Sequence, residues 1–117
     1  MNPNGWLNNP PDKPKIDGPK FGKPGVLYEY KFTTSDSDDD QIYYYVDWGD
    51  TSVQNWFGPF DSGEDATALH SWSQGNFEIK VKAKDTRGLE SEWSDPFPIT
   101  MLKNKIKIFS LIFLSFR

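Results

Sequence analysis

Residues 75–85, GNFEIKVKAKD, alternate strictly between apolar and polar side chains, and this alternation limits the fold more than any other feature of the sequence. One set is apolar and comprises Phe77, Ile79, Val81 and Ala83; the other is charged and comprises Glu78, Lys80, Lys82 and Lys84. A period of two places the sets on opposite faces of a strand, whereas a helix would mix them on every face. The segment therefore predicts a β-strand with one buried face.

Similar but shorter patterns recur along the chain. Alternation predicts strands over residues 26–33 and 42–48, and more weakly over 64–72. Residues 93–101 predict a last strand, at an edge or bulged because Pro96 and Pro98 cannot donate ladder hydrogen bonds. Residues 55–60 form a short aromatic segment with turn character. Several short strands about ten residues apart, with no helical period before residue 102, predict an all-β, immunoglobulin-like antiparallel β-sandwich of about seven strands.

The segments outside the alternating region have different compositions. Residues 1–13 are rich in Asn and Pro and predict a linker, so the sandwich is expected to span residues 14–101. Residues 102–117 form a basic and then apolar tail. Its apolar part, residues 106–117, is shorter than the roughly 20 residues that cross a bilayer as a helix. A truncated end, a segment packed on the domain or a neighbour, and a membrane anchor remnant all stay open.

Charge and composition exclude several functions. The formal net charge of −4 disfavours binding of nucleic acid, because it repels the phosphate backbone. The chain has no cysteine, which removes disulfides, thiolate catalysis and cysteine-ligated metals. It has a single histidine, His70, so a Ser-His-Asp catalytic site is not supported and no catalytic residue is predicted.

Four motifs, in this order and spacing, resemble the PKD family, the immunoglobulin-like β-sandwich repeats of archaeal and bacterial surface proteins. They are VDWGDTS (46–52), HSW (70–72), GNFEIKVKAKD (75–85) and RGLESEWSDP (87–96). The resemblance implies a non-catalytic spacer or protein-interaction (adhesion) module at the cell surface or outside the cell. The partners so implied are other domains of the same surface protein, other surface proteins or glycans, with membrane contact only if the tail is an anchor remnant.

The resemblance also assigns structural tasks to matched positions. Trp48 is expected in the core, Gly49 and Asp50 in the turn that follows, and His70 as a half-buried imidazole that ties a loop to the strand end. The chain departs from the family pattern at three positions. Thr51 replaces a common glycine, and Ser37 and Asp39 replace the proline and glycine of an Asp-Pro-Asp-Gly-Asp loop.

The acidic run TTSDSDDDQ (33–41) suggests a structural calcium site. Hard cations such as Ca²⁺ prefer several oxygen ligands, and Asp36, Asp38 and Asp40 recur at every second position. An EF-hand is rejected because Gln41 stands where the loop needs glycine. A looser site at one end of the sandwich remains a hypothesis, with Asp47 or Asp50 reaching in from the neighbouring strand end; the alternative is a solvated acidic loop.

Aromatic side chains outside the expected core suggest a second hypothesis. Tyr43 and Tyr45 alternate away from the buried set, and Trp56 follows in the next segment. These rings are either covered by neighbouring structure or form a carbohydrate-binding surface on which sugars stack. Coplanar, solvent-facing rings favour the carbohydrate-binding module; buried rings favour the spacer.

Overall fold

The computed structural model describes residues 8–103, which form two packed β-sheets. The strands of this region are β1 (Lys15–Asp17), β2 (Phe21–Gly22), β3 (Tyr28–Thr33), β4 (Ile42–Asp47), β5 (Val53–Phe60), β6 (Ala66–His70), β7 (Gly75–Asp85) and β8 (Phe97–Met101). One sheet has the order β1-β3-β6 and the other the order β2-β8-β7-β4-β5. The predicted all-β sandwich is confirmed.

Strand β7 is the central strand of the larger sheet, and it pairs with β4 on one side and β8 on the other. Its apolar side chains Ile79, Val81 and Ala83 are fully buried, whereas the lysines between them are only half-buried on the outer face. The strict alternation of residues 75–85 therefore has the predicted cause: one face of the strand meets the opposite sheet.

Aromatic rings fill the space between the two sheets. Tyr30 and Phe32 come from β3, Tyr44 from β4, and Trp48 and Trp72 from the segments that follow β4 and β6. All five rings are 2 % exposed or less. Many of them meet edge to face, as in the contact between Tyr30 and Trp72 at 5.5 Å and 86°, the arrangement that aromatic quadrupoles favour. The predicted core position of Trp48 is confirmed.

The structure corrects three strand predictions. Residues 55–60 are not a turn but part of β5, whose pairing with β4 shifts register twice, so the period of two is hidden in the sequence. Strand β8 begins at Phe97 and is not an edge strand, because β2 pairs with its free side. Residues Val26 and Leu27 precede β3 and are exposed. They belong to the turn in which the amide of Val26 donates to the carbonyl of Lys23.

One strand pair is parallel rather than antiparallel. The chain leaves β1 in the small sheet and crosses to the large sheet, where β2 runs alongside β8 in the same direction. The crossing occurs over residues 18–20, and the Tyr30 hydroxyl donates to the carbonyl of Pro19 there at 2.7 Å. With this split first strand, residues 8–103 contain eight strands, against the prediction of about seven.

The chain enters and leaves the sandwich at opposite ends. Asn8 donates a hydrogen bond to Asp85 at the end of β7, whereas Met101 pairs with Gly75 at its start. Ten residue steps along β7 correspond to about 33 Å. Residues 8–13, although predicted as linker, lie against the sandwich: the amide of Asp12 donates to the carbonyl of Ser35 at 2.9 Å.

The predicted apolar tail, residues 106–117, lies outside the described residues. Within residues 8–103 there is no helix of the length and apolar character needed to cross a membrane.

Candidate functional site

The acidic loop, residues 34–41, joins β3 to β4 at the end of the sandwich where the chain enters. Asp36 organises it: its Oδ1 atom accepts hydrogen bonds from the amides of Asp38 at 2.8 Å and Asp40 at 3.4 Å. Its own amide donates to the Ser62 hydroxyl. The side chain of Asp36 is 5 % exposed, so a carboxylate is held inside the loop rather than in solvent.

The three predicted carboxylates converge. Oxygen atoms of Asp36, Asp38 and Asp40 lie within 4.8 Å of one another. The Oδ2 atoms of Asp36 and Asp40 are buried and accept no hydrogen bond. No lysine, arginine or histidine of residues 8–103 forms an ion pair with any of the three. Buried carboxylate oxygens without a donor are costly, so this cluster has the donor set and the unmet charge of a hard-cation site.

The surroundings of Asp36 raise the pKa of its carboxyl group. Burial raises its pKa above the usual 3.8, and the amide hydrogen bonds from Asp38 and Asp40 offset only part of that rise. The negative charges of Asp40 and Asp85 raise the pKa further. A bound cation would lower the pKa of Asp36 again, because it supplies the positive charge that the loop lacks.

Asp50, the fourth residue assigned to the calcium hypothesis, is not brought to this cluster. It follows β4, whereas the acidic loop precedes that strand, so the two lie at opposite ends of β4. The Oδ2 atom of Asp50 lies 2.8 Å from His70 Nε2, and Oδ1 accepts the amide of Ser52 at 3.0 Å. Burial raises the pKa of Asp50, but the hydrogen bonds from Ser52 and His70 outweigh it and leave the pKa lowered.

His70 ties the turn after β4 to the end of β6. Its ring stacks on Trp48 with centroids 4.5 Å apart and planes 2° apart, and it contacts Trp72 edge on. The stacking and the bond to Asp50 agree with the predicted role as a tie between loop and strand end.

Ser52, His70 and Asp50 are neighbours, but their geometry is not that of a catalytic triad. A triad needs serine and aspartate on different nitrogens of the imidazole. Here Ser52 Oγ, at 3.4 Å, and Asp50 Oδ2 both face Nε2, and the Ser52 hydroxyl already donates to Asp50. A shallow groove of about 620 Å³ runs over β7 and β8, and His70 does not line it.

The two positions at which the resemblance leads us to expect glycine have the left-handed backbone conformation that glycine favours. Thr51 has φ 73° and Asp39 has φ 59°, and no other non-glycine residue of the region 8–103 has positive φ. A β-branched residue in this conformation is strained. The backbone is therefore left-handed at both positions although neither residue is glycine.

Thr51→Gly is expected to stabilise the domain. Relief of the left-handed strain is worth about 1–2 kcal/mol, less a smaller entropic loss from the more flexible unfolded chain. The free energy of unfolding, measured in urea, should rise by about 1 kcal/mol. Ser52→Gly, next to it, removes the hydroxyl bound to Asp50 and should lower that free energy instead. A loss of stability in Thr51→Gly would contradict the strain at this turn.

Aromatic rings and lysines share the outer face of the large sheet. We call this surface the lysine–aromatic face, and it comprises Tyr43, Tyr45, Trp56, Lys80, Lys82, Lys84 and Trp93. The Lys84 ammonium lies 4.5 Å from the Trp56 ring centroid, and Lys82 lies 4.9 Å from that of Trp93. Lys82 also pairs with Glu90 at 2.7 Å. Such contacts stabilise half-exposed rings through cation–π attraction.

The rings of the carbohydrate hypothesis come together without forming a flat platform. Tyr45 and Trp56 are adjacent, with centroids 5.4 Å apart, but their planes are tilted by 54°. Tyr43, Tyr45 and Trp56 are all half-buried, and lysines approach their faces. The coplanar, solvent-facing arrangement that would favour stacked sugars is absent from these three rings, and carbohydrate binding remains a prediction.

Two packed β-sheets with an aromatic core define an immunoglobulin-like module, and comparison with known proteins supports this class. The chain is 40% identical to the PKD domain of an M14-like peptidase from a Thermoplasmatales archaeon, with a TM-score of 0.77. The match covers 81% of this chain and 98% of that chain. The chain therefore belongs to the PKD domain family.

A second solved structure shares the fold. It is the CARDB domain of a Pyrococcus furiosus protein, in complex with di-metal ions, at 13% identity and a TM-score of 0.55. The match covers 80% of this chain and 96% of that chain. No family model matches, and no curated protein matches.

Proposed function

We propose that this chain is a non-catalytic spacer or protein-interaction (adhesion) module of a larger extracellular protein. The observation that carries the proposal is the path of the chain, which enters beside Asp85 and leaves beside Gly75, at opposite ends of β7. A domain with this path separates the segments before and after it by its full length. Two domains joined through it are thus held about 33 Å apart.

Two further observations support the proposal. The related PKD domain is part of an M14-like peptidase, so that member of the family is joined to another functional unit. In addition, the turn after β4 is held against Trp48 by the side chains of Ser52, His70 and Asp50, and these groups do not present a nucleophile. A spacer uses such groups as structural ties, and its partners are the adjacent domains and other surface proteins.

The absence of catalysis can be tested with the purified protein and a broad panel of peptides, esters and glycosides. No turnover is expected. His70→Ala serves as the control, since it removes the only imidazole in the sequence. Hydrolysis that the wild type performs and His70→Ala loses would overturn the proposal.

A structural Ca²⁺ ion at the acidic loop is part of the proposal. The loop supplies ligands for a hard cation, since oxygens of three carboxylates lie within 4.8 Å of one another. Two of these carboxylates also have a buried oxygen that accepts no hydrogen bond. Calcium sites of extracellular modules typically have dissociation constants of about 10⁻⁴–10⁻³ M, which suits such a location. The ion would offset two of the negative charges of the loop and fix the β3–β4 connection.

Calcium is expected to raise the thermal stability. An ion that binds only the native state at about thirty times its dissociation constant adds about 2 kcal/mol, which raises Tm by roughly 10 °C in a domain of this size. The measurement is a melting curve at 10 mM CaCl₂ against one with chelator.

Asp36→Asn should abolish most of that rise, because it removes the buried carboxylate at the centre of the loop. Asp17→Asn, at an exposed carboxylate of β1, is the matched control and should retain it. An unchanged Tm of the wild type on addition of calcium would exclude the site.

A further inference from the structure

The lysine–aromatic face gathers three ammonium groups over two tryptophan rings. Lys80 and Lys82 both approach Trp93, at 5.8 and 4.9 Å from the ring centroid. Lys82 and Lys84 both approach Trp56, at 5.7 and 4.5 Å. Like charges that share a ring repel one another, and they are clustered here on a chain whose net charge is −4. The face is therefore a positive patch on an acidic protein.

One carboxylate balances part of this charge. Glu90 pairs with Lys82 at 2.7 Å. Among the residues that the structure describes, Lys80 and Lys84 form no ion pair. Their ammonium groups are only half-buried, so an anionic group that arrives from solvent can reach both.

The other acidic side chains near the face do not supply that group. Asp47 lies opposite Lys80 in the register of β4 and β7, but its Oδ1 atom accepts the amide of Gly49 at 2.9 Å. Glu78 is the next outward-facing residue of β7 toward the exit end, and it forms no ion pair within the described chain. The acids of the connection after Glu90 lie beside Lys13 instead, and they are Glu92 and Asp95.

Glu90 shows how an acidic segment is accommodated beside these lysines. It belongs to the connection between β7 and β8, and it forms an antiparallel bridge with Lys84. The amide of the next residue, Ser91, donates to the carbonyl of Ala83 at 2.7 Å. The connection therefore runs alongside β7 at this point, and its carboxylate reaches across to Lys82.

We infer that the lysine–aromatic face binds an acidic, extended polypeptide segment of a partner protein, with Lys80 and Lys84 as the charged contacts. This inference rests on the proposed role as an interaction module and names the chemistry of its partner. Alternate side chains of an extended chain are about 6.6 Å apart, in the partner as in β7. Carboxylates four residues apart in the partner therefore match Lys80 and Lys84, with the pair of Lys82 and Glu90 between them.

The same contacts favour an acidic polypeptide over a sugar. A neutral sugar would stack on the ring faces, but two lysines approach the Trp56 ring and two approach the Trp93 ring. An anionic polysaccharide could meet the charge, but the two-residue repeat of the lysines on β7 is that of an extended polypeptide.

The first test uses a short synthetic peptide of alternating Ser and Glu, labelled at one end, and follows its fluorescence anisotropy as the full-length protein is added. The peptide should bind at low ionic strength, and added NaCl should weaken the binding because it screens exposed charges. A peptide of alternating Ser and Gln is the control and should not bind.

Two double variants locate the binding on the protein. Lys80→Gln with Lys84→Gln should weaken the affinity about fivefold or more, the scale expected for the loss of two exposed ion pairs. Lys15→Gln with Lys31→Gln changes the net charge by the same amount, but on exposed positions of the small sheet. This control pair should bind as the wild type does.

Lysine acetylation, read by mass spectrometry, gives a second readout that does not depend on a variant. The Ser-Glu peptide should slow modification of Lys80 and Lys84 and leave that of Lys15 and Lys31 unchanged. Equal effects at both pairs of lysines, or equal binding of the Ser-Gln peptide, would overturn the inference.

Two further outcomes would contradict the inference in different ways. Binding of polygalacturonate without binding of the Ser-Glu peptide would assign the face to a polysaccharide and exclude the polypeptide partner. Absence of binding by either ligand would remove the lysine–aromatic face as a docking surface. The spacer role would stand in that case, because it depends on the path of the chain and not on this face.

Discussion

Trp72→Ala is expected to lower the free energy of unfolding by about 4 kcal/mol, the middle of the range for loss of a buried aromatic side chain. Trp72 is 2 % exposed and contacts Tyr30 and Trp48 edge to face, with centroids 5.5 and 5.7 Å away. Its Nε1 atom donates to the carbonyl of Trp48 at 2.9 Å. The substitution therefore opens a cavity in the aromatic core and leaves the Trp48 carbonyl without the hydrogen bond from Trp72.

Urea denaturation followed by far-ultraviolet circular dichroism measures this loss. Trp93→Ala is the matched control, because the same side chain at that position is 39% exposed and packs on the outer face. It should cost about 1 kcal/mol or less. Comparable losses in the two variants would contradict a core organised around Trp72.

Gly49→Ala is expected to cost about 4 kcal/mol. Gly49 has φ 82°, and a Cβ atom there would lie 2.3 Å from the backbone carbonyl oxygen of Glu78 on β7. A backbone atom cannot move aside as a flexible side chain can. The substitution therefore combines left-handed strain of about 1–2 kcal/mol with steric overlap that costs about 1–3 kcal/mol or more.

Gly63→Ala separates the two contributions. Gly63 has nearly the same φ, 85°, but a Cβ atom there would meet nothing within 4 Å. Only the strain applies, so the loss in the same urea experiment should be about 1 kcal/mol. If Gly63→Ala proved as damaging as Gly49→Ala, the close approach of the turn to β7 would be wrong.

The sequence predicted most of the fold because burial on one face leaves a period of two. This holds for β7, where the buried Ile79, Val81 and Ala83 alternate with lysines. It failed for β5, because two register shifts against β4 break the period, and the half-buried Trp56 and Phe57 are then consecutive residues. It also missed β1 and β2, which are too short to show any period.

The candidate site was predictable only in part. Asp36, Asp38 and Asp40 are neighbours in sequence, so one loop brings them together without help from the fold. The hydrogen bond between Asn8 and Asp85, in contrast, forms only through the packing of the entering segment on the end of β7, and the two residues are 77 positions apart in the chain. The absence of Asp50 from the cluster, in contrast, follows from chain order alone, because Asp50 comes after β4 and the acidic loop comes before it.

The path of the chain through the sandwich can be measured directly, as a distance between its two ends. Because the native chain has no cysteine, spin labels can be attached at Pro10→Cys and Lys103→Cys, both exposed positions, and their separation read by double electron–electron resonance. A spacer that the chain enters beside Asp85 and leaves beside Gly75 predicts one narrow distance distribution centred at about 35 Å, the length of β7 plus the label tethers. A distribution centred below about 20 Å would place both ends of the described chain on the same side of the sandwich and contradict the spacer role.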